Sequence, residues 1–261
     1  MPLPASPEVP RPDFASVTPD RWRALAGERI FFGHQSVGGN IVDGIAAVLA
    51  EHPGIPLHVI DTSTLDSTAG PGIYHARIGT NGNPASKSAA FDTIVGRGAP
   101  AIGVLKYCYE DVDARSNPDS LFAAYERAMA ALRARDPHFI MVHVTMPLTT
   151  IEGRRELVMA RLRGRATKRD LNVTRNRYNA LLRQAYAGKE PVFDLARFES
   201  TRADGSRAFF MRGADTVYIL DRGYTDDGGH LNVAARRAAA REFLAVLAGL
   251  LAAAVPVRGR A

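Results

Sequence analysis

Short apolar runs alternate with helix-period segments along nearly the whole chain, and this alternation leaves few folds open. Arg29–Gly33, Leu57–Asp61, Ala101–Lys106, Phe139–Thr145 and Val192–Leu195 read as strands. Between them, apolar residues recur at helical spacing: Ile41, Ile45, Val48 and Leu49; then Phe91, Ile94 and Val95 after Pro84. Asn117-Pro118-Asp119 is a helix start, with a capping side chain, Pro at the first helical position and an acid near the positive end of the dipole. The helix it opens carries Leu121, Phe122, Tyr125, Met129 and Leu132 on one stripe. Tyr178, Leu181, Leu182 and Ala185 form the next face, ended by Gly188, and Asn232 caps a last helix with Phe243, Val246, Leu247 and Leu250 inside. Five short buried strands separated by helices predict an α/β fold, a parallel sheet covered on both sides.

The chain has 261 residues, 46% hydrophobic and 23% charged, enough for one large domain with a real core. The expected organisation is a Pro-rich arm over 1–20 and a single domain over 21–261. That domain carries a basic insertion at about 148–171 and a small hairpin from Arg207–Met211 and Val217–Leu220. One cysteine excludes an internal disulfide framework and any multi-cysteine metal site. No apolar run reaches ~18 residues, so no spanning helix is expected. The longest candidate, Phe243 to Val255, meets Pro256 and reads as a buried terminal helix. Residues 1–13 show no secretory signal, so the expected location is cytoplasmic, or extracytoplasmic if the true start lies upstream. The net charge of +6 is local: residues 151–179 hold nine Lys/Arg against three acids, an excess equal to that of the whole chain.

In an open parallel sheet, ligands bind beyond the carboxyl ends of the strands. After the first strand comes Gly33-His34-Gln35-Ser36-Val37-Gly38-Gly39-Asn40. Ser36 falls where a strand turns into a helix, with its hydroxyl exposed and free helix N–H groups nearby for a developing oxyanion. It can equally be a capping serine in a glycine-rich turn. Near the other end stands Asp226-Asp227-Gly228-Gly229-His230-Leu231-Asn232. Two glycines let the Asp227 carboxylate fold back onto the His230 imidazole, fixing its tautomer and freeing the other nitrogen to accept a proton. The same residues can form a turn with a capping Asp.

This arrangement resembles the SGNH/GDSL-type hydrolase superfamily, in an atypical branch that reads His-Gln-Ser in place of Gly-Asp-Ser. The resemblance runs from about residue 28 to 250. It implies a three-layer α/β/α, flavodoxin-like sandwich and a serine hydrolase of carboxylic esters. It casts Ser36 as nucleophile, His230 as general base and Asp227 as the orienting acid. Gly79, in Arg77-Ile78-Gly79-Thr80-Asn81-Gly82-Asn83, falls where the family has its glycine oxyanion donor, with Gly82 as the competing choice. The family's Gly-x-Asn-Asp block after the third strand is absent; Lys106-Tyr107-Cys108-Tyr109-Glu110-Asp111 stands there. The missing asparagine could be replaced by Asn81 or Asn40, or by the charge of Lys106. The expected substrate is an O-acyl ester of a carbohydrate or small molecule, and an anionic one would suit the basic segment. No cofactor, nucleic-acid partner or membrane partner is expected. An acyltransferase variant and a non-catalytic carbohydrate-binding member of the same fold are the alternatives.

Other residues carry less. Cys108 reads as an inert buried thiol and Thr145-Met146-Pro147 as a structural turn. A metal site from His34, His143 and an aspartate ranks low, since no His pair is spaced i, i+4. The first loop lacks nucleotide-binding glycine patterns. The basic segment reads as a solvated helical face or as a lid that attracts anionic substrate. Tyr178 is its only aromatic, so it offers no base-stacking platform.

Overall fold

β1 (Arg29–His34) is buried from Ile30 onward and alternates its side chains between two cores: Ile30 and Phe32 face one, Phe31 the other. The computed structural model describes residues 6–251. Around β1 lies a six-stranded parallel sheet with β2 (Val59–Asp61), β3 (Gly72–Arg77), β4 (Ile102–Leu105), β5 (Ile140–Val144) and β6 (Val192–Phe193). The order is β2-β3-β1-β4-β5-β6, so the chain starts at the centre and winds out to both edges. Helices α1 (Pro19–Ala26), α2 (Ser36–Glu51) and α8 (Val233–Leu250) cover one face; α3 (Pro84–Gly98), α4 (Pro118–Arg135) and α6 (Lys168–Tyr186) cover the other. The three-layer α/β/α class is as expected.

The sheet has six strands rather than five. The added one, β3, is Gly-Ile-Tyr-His-Ala-Arg, with polar residues at its carboxyl end and turn-forming Asp66-Ser67-Thr68 and Gly70-Pro71 ahead of it. Little in that composition marks a strand. It is held by backbone pairing to β1 and β2 on either side, not by an apolar run. The insertion separates Leu57–Asp61 from β1, leaving β2 as a short, half-exposed edge. β1 and β4 are direct neighbours, Gly33 opposite Leu105, so the loops after them share one end of the sheet.

The basic segment is mostly helix. α5 (Arg154–Leu162) occupies its first part, and α6 begins at Lys168 on a Thr167 cap reciprocated by Asp170. After β6 comes the short α7 (Leu195–Ser200), then the hairpin β7 (Phe209–Arg212) and β8 (Asp215–Tyr218). The N-terminal stretch is tied to the body: Arg11 pairs with Glu242 of α8, and Arg197 donates to the Val9 carbonyl. Of the apolar run Phe243–Val255, residues 252–255 lie outside the described residues, as do 1–5 of the N-terminal arm.

Candidate active site

β1 ends at His34, Gln35 is extended (φ −133°), and Ser36 opens α2. Gln35 does not cap the helix through its side chain. Its carboxamide donates to the carbonyls of Ile78 (2.8 Å) and Gly79 (3.0 Å), fastening the Ser36 turn to the loop after β3. Gly79 has φ +61°, and a Cβ there would lie 2.6 Å from the Lys87 backbone nitrogen, so both conformation and space require glycine. The Lys87 ammonium and Asp111 carboxylate form a buried pair at 2.6 Å. Asp111 also accepts from the N–H groups of Gly82 (3.0 Å) and Cys108 (2.7 Å). The loop after β3 and the turn after β4 therefore form one unit. The Gly82 N–H is committed to Asp111. The Asn81 carboxamide lies between Lys87, which donates to its oxygen, and Glu110, which accepts from its nitrogen.

Asp227 and His230 meet. The Asp227 Oδ2 lies 2.6 Å from His230 Nδ1, while Oδ1 accepts from the N–H groups of His230 (2.8 Å) and Gly229 (2.9 Å). One carboxylate oxygen thus caps the turn and the other meets the imidazole. Burial opposes its charged form, but the His230 backbone, the His230 ring and the Gly229 N–H outweigh it and hold the carboxyl below the usual range. An ionised Asp227 assigns the proton to Nδ1 and leaves Nε2 as an acceptor. Nε2 faces the Tyr109 hydroxyl at 3.3 Å, with the rings edge to face.

Ser36 opens α2, His230 lies in the turn before α8, and the two helices pack against each other. Asn40, one turn after Ser36 on the same side of α2, accepts the buried N–H of Leu231 at 3.0 Å. That bond ties the start of α2 to the residue following His230. Among the described residues, no hydrogen bond joins Ser36 to His230. A cleft of about 540 Å³ opens at His230, with Tyr109, Arg175, Lys168, Asn81 and Thr149 on its walls. Ser36 and Gly79 are not among the cleft's lining residues.

Lys106 is wholly buried, its ammonium has no hydrogen-bond partner among the described residues, and it does not line the cleft. Burial lowers its pKa to about 8. The neighbouring Glu199 is also buried and is raised to about 8, with one oxygen accepting from Leu148 N–H. Cys108 is buried, and Met146 is clamped by Asn179. His34 and His143 have separate partners: His34 faces His75 at 3.2 Å, whereas His143 bonds Tyr125 and Glu190.

Two cleft residues escaped sequence reasoning. Tyr109 stands in the segment that departs from the Gly-x-Asn-Asp pattern, and burial raises its hydroxyl to about 12, so it is a neutral donor. Arg175 was counted with a solvated basic face, yet it is buried. It donates twice to the Tyr109 carbonyl (2.8 and 3.1 Å) and once each to Thr149 and Asn172, and its guanidinium lies over the Tyr109 ring. The available signal was the spacing of Asn172, Arg175, Asn176 and Asn179, a polar stripe on an otherwise amphipathic helix.

No protein-family model matches the chain, and no curated protein does. Solved structures do. A GDSL-like lipase from Bacteroides thetaiotaomicron aligns with a TM-score of 0.53 and 14% identity, over 92% of this chain and 100% of its own. A putative acylhydrolase from Bacteroides fragilis gives 0.50 and 14%, over 93% and 92%. A lipase/acylhydrolase from Enterococcus faecalis gives 0.50 and 11%, over 86% and 97%. The chain has the SGNH/GDSL-type hydrolase fold. The turn after β1, the loop after β3, the turn after β4 and the Asp227–His230 turn converge at the carboxyl end of the sheet.

Proposed function

We propose that this chain hydrolyses carboxylic esters through an acyl-enzyme, with Ser36 as nucleophile, His230 as general base and Asp227 as the group that orients and charges the base. The observation that carries the reading is the 2.6 Å Asp227–His230 pair at the cleft, on a turn that Asn40 binds to the helix Ser36 begins. In the reaction, the Ser36 Oγ bonds to the acyl carbon as its proton passes to His230 Nε2. The carbonyl π electrons move to oxygen, forming a tetrahedral oxyanion. That oxyanion collapses, expelling the alcohol, which takes the proton from His230. Water then repeats the sequence on the acyl-enzyme and releases the acid.

The Ser36 and Gly79 N–H groups are the proposed oxyanion donors, one at the start of a 16-residue helix and the other in a loop held by Gln35. The Tyr109 O–H is the proposed third donor in place of the family's asparagine: it arises from the turn after β4 and lies 3.3 Å from His230 Nε2. The acylhydrolase and lipase names among the structural neighbours support an acyl ester as substrate. We place the O-acyl group on a carbohydrate or small molecule. The open Ser36–His230 contact favours the second reading, a non-catalytic carbohydrate-binding protein of this fold. The deciding test is p-nitrophenyl acetate turnover and fluorophosphonate labelling, with Ser36→Ala as control. Turnover and an adduct on Ser36, both lost in the variant, are expected. No turnover and no adduct would overturn the hydrolase, and an adduct elsewhere would overturn Ser36.

A further inference from the structure

Large apolar side chains more than a third exposed are few among the described residues, and most of them lie on α5 and β7. Among the described residues they are Val158 (55%), Met159 (45%) and Leu162 (76%) on α5, Phe209 (52%) and Met211 (54%) on β7, and Val233 (64%) at the start of α8. Scattered exposed hydrophobics need no explanation; a cluster of them does. α5 has no buried residue at all. Val158 and Leu162 share a face at i, i+4 with Met159 beside them, so the helix presents apolar side chains to solvent, not to the core. Phe209 and Met211, two apart on one strand, share a face of the hairpin.

Contacts bring the hairpin to the start of α6. Arg212 of β7 pairs with Asp170 at 2.7 Å, and the Arg169 guanidinium lies 5.1 Å from the Phe210 ring centre, so the hairpin sits beside the α5–α6 junction. Glu156 of α5 and Lys168 of α6 border one depression with Asp227 and Gly228, and Lys168 also lines the main cleft. Val233 follows His230 by three residues. The hairpin therefore sits beside the α5–α6 junction, whose Lys168 lines the His230 cleft.

The same rim is basic: Arg154, Arg155, Arg161, Arg163, Arg165 and Lys168 are all exposed. Apolar side chains flanked by long cationic ones match an interface of acyl chains beneath anionic headgroups. The charge argues against a second copy of this chain, since two such rims would repel. Nucleic acid lacks a stacking platform here, the one aromatic of the segment, Tyr178, being buried. No described helix is long and apolar enough to cross a membrane, which leaves lying on the surface.

We propose that α5 and the β7–β8 hairpin form a docking rim for an anionic lipid surface, with the His230 cleft opening toward it. The proposal reverses the sequence-based expectation of no membrane partner, which rested on the lack of a spanning-length run. Only its corollary, that the hydrolysed ester belongs to an amphiphile, rests on the ester-hydrolase reading.

Co-sedimentation of the full chain with phosphatidylcholine vesicles, with and without about one third phosphatidylglycerol, tests it. Binding about tenfold or more tighter to the anionic vesicles is expected, weakened by salt. It should be lost both in Val158→Ser/Leu162→Ser and in Arg154→Glu/Arg161→Glu. All four positions are exposed, so p-nitrophenyl acetate turnover should be unchanged. No binding to anionic vesicles, or binding that survives both double variants, overturns the rim. So does a wild-type dimer that Val158→Ser/Leu162→Ser dissociates, which would assign the patch to a second copy. Vesicle binding without soluble-ester turnover leaves the rim standing and removes the hydrolase; turnover without vesicle binding does the reverse.

Discussion

Gly44→Ala tests whether the crossing of α2 and α8 sets the placement of the proposed nucleophile, Ser36, and the proposed base, His230. A Cβ on Gly44 would lie 2.1 Å from the Arg236 carbonyl oxygen, 2.6 Å from its carbonyl carbon and 2.9 Å from the Ala240 Cβ. The first two are helix backbone and cannot rotate away. Reaching ordinary contact, 3.4 Å or more, means moving the helices apart by about 1 Å. Overpacking of this kind costs about 1–3 kcal/mol, and alanine's better helix propensity returns about 1, so a net loss of up to about 2 kcal/mol is expected. The rate should fall further than stability explains. Arg236 donates to the Leu231 carbonyl (2.8 Å) and to Asp43 of α2 (3.1 Å), and Leu231 donates to Asn40 (3.0 Å). A shift at Gly44 thus passes to the turn that holds His230. A misplacement near 1 Å is worth about 100-fold in rate. Urea unfolding and kcat/KM on p-nitrophenyl acetate measure the two effects. Gly249→Ala, on α8 with nothing within 4 Å, is the control and should gain up to about 1 kcal/mol with no rate change. If Gly44→Ala matched wild type in stability and rate, the crossing would not set the site.

Asp227→Asn should lower kcat by about 10⁴-fold with KM nearly unchanged, by losing the charge that fixes the imidazole; a fall under tenfold in steady-state kinetics would count against the triad. Tyr109→Phe should lower kcat by about 100-fold, and Tyr109→Asn should recover part of it; equal loss in both would mean that Tyr109 fills space rather than donates. Burial holds His34 neutral, with its pKa lowered to about 3. Its contribution to stability is full above about pH 6.5 and is lost as pH falls toward 3, by up to about 1.4 kcal/mol per pH unit, because only the unfolded chain takes up the proton. Urea midpoints at pH 7 and pH 5 should differ less in His34→Gln than in wild type; an unchanged difference would refute the assignment.

The readable parts of the chain were those where local chemistry and burial agree. The strand at β1, the Asn117-Pro118 helix start and the Asn232 cap are each formed by residues whose preferences match their place, and all stand where periodicity put them. The Asp227–His230 contact was also legible, because two glycines and a three-residue spacing leave the carboxylate few other partners. β3 was not, since its stability comes from neighbours on both sides, which no window of sequence contains. The link between the start of α2 and the His230 turn is of the same kind. It depends on Asn40 and Leu231, 191 positions apart, and on a glycine whose only distinction is what packs against it.

Arg175 shows why the basic segment was the hardest part to read. Its helix holds two kinds of cation that composition counts alike. Arg177 pairs with Asp119 on the surface, while Arg175, two residues earlier and on the other side of the helix, is buried against the Tyr109 carbonyl. The difference lies in the asparagines at the same face: Asn172, Asn176 and Asn179 each bond both the N–H and the C=O of one residue, Thr149, Tyr218 and Met146 respectively. A carboxamide mimics a peptide group, so it can close the open backbone of the loop after β5 where no strand does. α6 thereby acts as a surrogate sheet edge. With its backbone partners satisfied, the loop stays close enough for Arg175 to span from Thr149 to Tyr109, joining the segments after β5 and β4. Asn172→Leu should therefore cost about 2 kcal/mol by leaving the Thr149 N–H unpaired and its C=O with only the Leu220 N–H, and it should lower kcat through Tyr109 as well. Stability lost with the rate intact would separate the loop from the site and leave Arg175 a purely structural cation.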